Sequence, residues 1–368
     1  MSELYTASRL KVLRQCMQLH YYRYILGIQT PSGPAAKFGT VAHSALEAWL
    51  KTWQAGKLDQ RLPAMLTAVR DADIPEHDKC RLMALLTAYH YRWCDQPWEI
   101  IAVETEFRYE IDGYTIGGKL DALIRNTETG ETWVLEHKTT KRDASPGSSY
   151  WEVLSIDAQI SIYVDGATML GHEIAGCIYD VLKRPLHEQR LATPTADRKF
   201  TEGKGCKSCG GSAKAGATEK GRGYTVVSMV TVEHVPCADC DGTGWKKDKA
   251  GKIEAPRLYA NQRDTDETLD EFTDRMIDEI AAEPDSFLIR GVVVRLEDEL
   301  PRMRTEIVDS IKYERMTSMF NLHIRNPEAC AQFGTICHFF GPCSGRSDID
   351  DEHLFPRGQA HPELATAA

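Results

Sequence analysis

The sequence predicts an α/β protein with one central sheet behind a helical N-terminal layer. Three observations carry this: apolar residues recur at helical spacing through the first 95 positions, three consecutive strand-like runs follow from Trp98, and one more helical stretch then leads into a further buried strand. With 368 residues, 42% apolar and 27% charged, the chain is long enough for one large domain or two ordinary ones. Disorder, collagen and a small disulfide scaffold are excluded.

Taken in order, Leu10, Leu13, Met17, Tyr21 and Tyr24 predict a helix from Ser8 to Tyr24 that contains Cys16 and stops at Gly27. A second helix starts near Gly39 with Val41, Leu46 and Trp49 as its buried stripe, and two amphipathic stretches fill 61–95. IIAVETEFRYEI (100–111), YTIGGKLDALI (114–124) and TWVLEHK (132–138) are rich in β-branched and aromatic residues and read as strands. Asp112-Gly113 and Thr129-Gly130 between them favour antiparallel hairpins. Ser155–Leu170 has helical spacing, and IAGCIYDVL (174–182) reads as a buried strand.

Residues 185–262, rich in Gly, Lys and Thr and carrying four cysteines, break the pattern and read as an insertion. A helix near 266–282, a strand FLIRGVVVRL (287–296), a helix from about Glu297 and a cysteine-bearing coil restore it, and 346–368 reads as a flexible tail. The expected divisions are therefore 1–184, 185–262, 263–345 and 346–368.

Charge and cysteine placement narrow the chemistry. Forty-four basic against 54 acidic residues give a net charge of −10, which argues against a uniformly basic nucleic-acid-coating protein but not against an enzyme whose site needs carboxylates. The first sixteen residues lack the apolar core of a signal peptide, and no run is long enough to span a bilayer, so a soluble cytosolic protein with no membrane partner is expected. In such a compartment clustered cysteines are metal ligands more often than disulfides, and seven of the eleven fall within 206–240 and 330–343.

Gly118-Lys119-Leu120-Asp121 and, fifteen residues after the aspartate, Glu136-His137-Lys138 lie on consecutive strands. Glu136 and Lys138, two apart, share a face, and Asp121 can reach the same point. Two converging carboxylates and an amine are costly unless a cation joins them, and hard oxygen ligands suit Mg²⁺ or Mn²⁺. A bare ExK pair is ordinarily a salt bridge at a strand edge. It gains weight from two i, i+4 pairs, His43 with Glu47 and Gln159 with Tyr163, each of which alone reads as an ordinary helix-surface pair.

Together FGTVAHSALE (38–47), GGKLDALI (117–124), VLEHKTT (134–140) and DAQISIY (157–163) resemble, in order, the RecB-type branch of the PD-(D/E)XK nuclease superfamily. The resemblance covers roughly 6–183 and resumes over about 287–343. It implies a restriction-endonuclease-like core, a mixed sheet flanked by helices, in which His43, Asp121, Glu136 and the backbone carbonyl of His137 ligate the divalent metal. Lys138 would be the catalytic lysine, and Gln159 and Tyr163 the substrate-side pair of the QxxxY motif. GGKLD departs from the lead-in of many members.

Cys330, Cys337 and Cys343 form C-x6-C-x5-C, and a thiolate site needs four ligands. One N-terminal cysteine, Cys16, with three C-terminal ones is similar to the iron-sulfur clasp of many RecB-type nucleases, which implies a 4Fe-4S cluster. Three free thiols, or zinc on the same four cysteines, are the alternatives. In the insertion, Cys206 and Cys209 with Cys237 and Cys240 are two CxxC knuckles of a zinc ribbon. Cys237–Gly244 copies the CxxCxGxG repeat of DnaJ-type co-chaperones, but two imperfect repeats suffice for one zinc site only. Lys204, Lys207, Lys214, Lys220, Arg222 and Trp245-Lys246-Lys247 suit either phosphate contact with a stacking aromatic or ordinary solvated loops.

The expectation is a Mg²⁺- or Mn²⁺-dependent deoxyribonuclease, an exonuclease acting on single-stranded DNA or DNA ends in recombination, replication, repair or phage DNA processing. It would work in the cytoplasm of a bacterial cell or phage-infected host. A catalytically inactive DNA-binding or scaffold subunit with structural metal centres is the competing expectation. No GxxxxGK[ST] phosphate loop occurs, so a helicase or recombination partner would be another chain.

Overall fold

Residues 3–209, 225–227, 232–234, 236–332, 335–361 and 364 are described by the structure, a computed structural model. The chain divides into two compact units, Met1–His187 with Thr273–Ala368, and Glu188–Phe272. In the first unit β1 (Leu4–Tyr5), α1 (Ala7–Gln15) and α2 (Met17–His20) lead to three longer helices, α3 (Pro34–Gln54), α4 (Arg61–Arg70) and α5 (Glu76–Trp93). Strands β2 (Trp98–Ile111), β3 (Tyr114–Asn126) and β4 (Thr132–Thr140) follow, then α6 (Ser149–Leu154), α7 (Ala158–Met169) and β5 (Ile174–Lys183). The second unit holds β6 (Thr225–Val227) and β7 (Val232–His234), and α8 (Leu269–Ala282) carries the chain out of it. The first unit is completed by α9 (Pro284–Phe287), β8 (Leu288–Val293), α10 (Glu299–Ser318), β9 (Ala331–Gln332), β10 (Thr335–Ile336) and α11 (Phe340–Cys343).

The central sheet is mixed. Its order is β1-β3-β4-β5-β8 with β2 also on β3; β1–β3 and β4–β5 are parallel and the other pairings antiparallel. One edge of β3 is shared, by β1 at Thr115–Ile116 and by β4 from Ala122 to Arg125, so among the described residues the stretch between has no strand neighbour on that side. Leu120, Val134, Ile160, Cys177, Val181 and Ile307 belong to one buried cluster joining the sheet to α7 and α10. Such apolar burial, about 25 cal/mol per Å², is the main force holding these layers together.

Several boundaries differ from the sequence expectation, each for a local reason. The helix expected through Cys16 is broken there, because Cys16 is extended (φ −165°, ψ 117°), and the following turn ends as a π-helix, Tyr21–Ile25. Helix α3 starts earlier, at Pro34, whose missing N–H costs nothing in a first turn. The helix expected over 155–170 starts later, at Ala158, with Asp157 capping α7 by accepting from the Gln159 N–H at 2.7 Å. Strand β8 ends at Val293 rather than 296. Beyond it the Arg295 guanidinium is drawn to Ser161 Oγ at 2.7 Å and to the carbonyls of Leu154 and Asp157 at 3.0 and 2.9 Å.

The expected loose tail is docked as far as 361. Phe355 is buried with Tyr22, Ile28 and Phe339, Ile28 bridges Arg357, and the Gly358 N–H donates to the Gly27 carbonyl at 2.7 Å. The rest of that expectation, apart from Leu364, lies outside the described residues. Among the described residues no helix is long and apolar enough to cross a membrane.

Candidate active site and cysteine centres

Pairing between β3 and β4 stops at Ala122↔Leu135, one step short of Asp121 and Glu136. β4 continues to pair with β5 as far as Thr140↔Lys183, so the two strands part where the acidic residues begin. Into the opening the Asp121 carboxylate turns back and accepts the His137 backbone N–H at Oδ2, 2.8 Å away. Two imidazoles flank it, His43 Nδ1 at 3.4 Å from Oδ1 and His137 Nδ1 at 3.4 Å from Oδ2. Burial works against the Asp121 charge, but His43 and the hydrogen bond from His137 outweigh it and hold the carboxyl well below its usual range.

Glu136 is 1% exposed. Its Oε1 accepts from Lys138 Nζ and from Gln159 Nε2, the latter at 2.9 Å, while Oε2 is buried with no hydrogen-bond partner among the described residues. Burial and the neighbouring Asp121 charge push its pKa up to about 7. For Lys138, burial is outweighed by Glu136 and Asp121, and its pKa is raised. Gln159 Nε2 also donates to Tyr163 Oη at 3.0 Å, so the QxxxY pair reaches Glu136 as a hydrogen-bonded chain. The Gly117-Gly118 pair has a local role here. A Cβ on Gly118 would stand 2.8 Å from Phe107 Cζ of β2 and 3.3 Å from Tyr163 Cε1 of α7, so glycine gives both rings room over the strand.

An unsatisfied buried polar atom costs roughly 1–3 kcal/mol, and a divalent cation is the partner this donor set fits. Glu136 Oε2 and the Asp121 carboxylate supply hard oxygens, and the nearby imidazole of His43 supplies a nitrogen that Mn²⁺ also accepts.

The insert cysteines differ. Cys206, Cys209, Cys237 and Cys240 are all buried, and among the described residues they are the one group of His, Cys, Asp and Glu whose ligand atoms all lie within 4.8 Å of one another. Cys209 Sγ and Cys240 Sγ are 3.8 Å apart, the spacing of about 3.8 Å expected from tetrahedral Zn–S bonds of about 2.3 Å. The Gly244 N–H points at Cys240 Sγ from 3.3 Å. This is a buried four-cysteine group able to bind a metal.

The basic excess expected of the insertion is partly consumed, since Lys204 pairs with Glu254 at 3.0 Å and Lys247 with Asp241 at 2.7 Å. Trp245 is half-buried, and a Cβ on Gly203 would stand 2.8 Å from its ring, so the indole lies against the backbone. Lys207 and Lys246 are exposed; Lys214, Lys220 and Arg222 lie outside the described residues, as do Gly210, Gly211, Phe333 and Gly334.

Cys16, Cys330, Cys337 and Cys343 line one cavity, walled by Leu19, Tyr22, Phe339 and Phe340. The extended break at Cys16 brings its thiol to this cavity, and the Cys337 N–H donates to the Cys330 carbonyl at 2.7 Å. Burial, together with the other thiols of the group, raises the pKa of Cys343. The remaining cysteines, Cys80 and Cys177, are buried, and Cys94 is half-buried.

The central strands of the mixed sheet part over an Asp, a Glu and a Lys. The family model described as the PD-(D/E)XK nuclease superfamily matches residues 5–284, and the chain belongs to that superfamily, whose members are typically metal-dependent nucleases. No curated protein matches the chain significantly.

Sequence reasoning passed over Tyr89, Asp180 and Arg290, which sit behind His137. A lone Asp in IAGCIYDVL and a lone Arg in FLIRGVVVRL were the available signals, because charges in buried strands are rarely unpaired. Glu104, which pairs with Lys119 Nζ at 2.5 Å and has φ of 51°, left no trace in the sequence.

Proposed function

We propose that the protein is a Mg²⁺- or Mn²⁺-dependent DNA exonuclease acting on single strands or DNA ends in recombination, replication, repair or phage DNA processing. The observation that carries the reading is Glu136 Oε2, a buried carboxylate oxygen without a partner beside Asp121 at the parting of two strands. His43, Asp121, Glu136 and the backbone carbonyl of His137 would hold the divalent ion. When bound, the ion supplies Lewis-acid polarisation of the phosphodiester and a water acidic enough to attack at neutral pH.

The chain's own residues then have separable tasks. Gln159 fixes the Glu136 carboxylate by occupying Oε1, which leaves Oε2 facing the cation site. Lys138, paired with the same Oε1, brings positive charge to where charge develops on the phosphate and orients the attacking water. Tyr163 accepts from Gln159 and keeps its own hydroxyl hydrogen to donate to a substrate oxygen.

Cys16, Cys330, Cys337 and Cys343 would hold a 4Fe-4S cluster that ties the ends of the first unit together. Their sulfurs surround a cavity without collapsing to single-ion spacing, which favours a cluster over zinc. Cys206, Cys209, Cys237 and Cys240 would hold Zn²⁺ as a ribbon, and any helicase or recombination partner would be a separate chain. The test is digestion of 5′- and 3′-end-labelled single- and double-stranded DNA with Mg²⁺ or Mn²⁺. Stepwise release of nucleotides from one end supports the reading, and no metal-dependent cleavage of any substrate refutes it in favour of a quiet DNA-binding subunit.

A further inference from the structure

Beside the carboxylate site lies a second polar cavity that the chemistry above does not use. Ser8 of α1, Arg23, Gln29, Thr30 and Ser32 between α2 and α3, and Thr40 of α3 line it, with Gln359 and Ala360 of the docked tail as a further wall. The tail and the segment before α3 hold one another in place. The Gln29 N–H donates to the Pro356 carbonyl and Gln29 Nε2 to the Gln359 carbonyl, both at 2.8 Å, next to the Gly358–Gly27 bond. Arg23 itself stands in the π-helical turn Tyr21–Ile25, a rare backbone form that is frequent at functional sites.

Charge gives the cavity its chemistry. Arg23 is the one charged residue that lines it, in a chain whose net charge is −10. Among the described residues the half-buried guanidinium makes no hydrogen bond or ion pair, and it approaches the Tyr24 ring at 5.6 Å. A guanidinium offers a planar fork of donors, hydroxyls add single donors, and no lining carboxylate repels an anion. A tetrahedral oxyanion fits that set. A phosphodiester carries one charge on two free oxygens, whereas a terminal phosphate monoester carries close to two charges on three, and it makes fuller use of a fork and several hydroxyls.

The cavity also adjoins the candidate metal site. Thr40 precedes His43 by three residues on α3, about 4.5 Å along the helix axis. Next to it, a Cβ on Gly39 would stand 3.1 Å from Thr139 Oγ1, so this part of α3 lies against β4 just beyond Lys138. A phosphate held in the cavity would therefore sit beside the bond to be cut and not at it.

We propose that this cavity binds the terminal phosphate monoester of a DNA strand, with Arg23 as its main ligand, and so selects phosphorylated ends. The selection of substrate rests on the nuclease reading; the binding of a terminal phosphate does not. The experiment uses full-length protein stripped of divalent ions by a chelator and one short single strand with an internal dye, made with a 5′ phosphate, a 3′ phosphate or neither. Fluorescence anisotropy should show one phosphorylated strand bound roughly tenfold or more tightly than the strand without phosphate, and which one it is gives the end recognised. Arg23→Gln should bring that strand to the level of the unphosphorylated one, and Arg23→Lys, which keeps the charge and loses the fork, should retain part of the preference.

Equal affinity of wild-type protein for the three strands, or binding of none, would overturn the proposal whatever the variants do. So would a folded Arg23→Gln protein that keeps the full preference. Because binding is read without metal, a protein that prefers a phosphorylated end but cuts no DNA would count against the nuclease reading and not against the cavity, and one that cuts DNA without that preference would do the reverse.

Discussion

Cys206, Cys209, Cys237 and Cys240 are buried and drawn together to the spacing of one ion, whereas Asp121 and Glu136 stand where two strands separate, with Glu136 Oε2 left without a partner. The contrast is the one expected between a structural and a catalytic metal site. A closed set of four ligands fits an ion whose task is to hold the fold, and an open, incomplete set leaves coordination positions for water and substrate. The terminal cysteines stand between these extremes, lining one cavity without closing to the spacing of a single ion.

Breaking each site in turn sharpens the comparison. The largest effect is expected from Lys138→Ala, which should lower the cleavage rate on the order of 10³-fold or more, the equivalent of about 4 kcal/mol of transition-state stabilisation, while the circular dichroism spectrum stays as in wild type. Cys330→Ser should bleach any visible absorption of anaerobically purified protein. It should also lower stability, since the chain-entropy value of tying residue 16 to residue 330 is on the order of 5 kcal/mol; an unchanged spectrum and melting temperature would leave the clasp without its cluster. If the insert's four cysteines hold zinc as proposed, Cys240→Ser should release it, measured by a colorimetric chelator, yet leave metal-dependent cleavage of short oligonucleotides within about threefold, because a closed structural site does not touch the reacting atoms.

The smallest expected effect is in pH dependence and belongs to the open site alone. In metal-free protein the folded pKa of Glu136, about 7, lies above the ordinary carboxyl value of 4.5, so the folded state holds the proton longer than the unfolded chain. Stability should therefore fall as pH rises from about 4.5 through 7. Asp121 acts in the opposite sense and in a lower window, its stabilisation present above 3.8 and lost as pH falls below that. Thermal melts in chelator should lose the slope between pH 4.5 and 7 in Glu136→Gln, and added Mn²⁺ should abolish it in wild type; a slope unchanged by both would mean that Glu136 is not the group titrating.

How much of this was legible depended on what the local pattern encodes. Alternation placed Glu136 and Lys138 on one face and helical spacing paired Gln159 with Tyr163, and the structure links all four by hydrogen bonds. The paired CxxC spacing likewise announced a four-sulfur group. The extended backbone at Cys16 was hidden, because the apolar periodicity runs unbroken across it and the break appears only once the thiol faces three distant cysteines. Phe355 was hidden for a similar reason, its stabilisation coming from Tyr22, Ile28 and Phe339 far away in sequence. The Asp180–Arg290 pair behind His137 depends on register across three strands, which no single segment states.

The most direct measurement is cleavage of end-labelled DNA by wild-type and Asp121→Ala protein, side by side with Mg²⁺ and Mn²⁺ and with equal folding verified by thermal melts. The account predicts metal-dependent cleavage by the wild type and none by the variant. Full activity in a folded Asp121→Ala protein would contradict it.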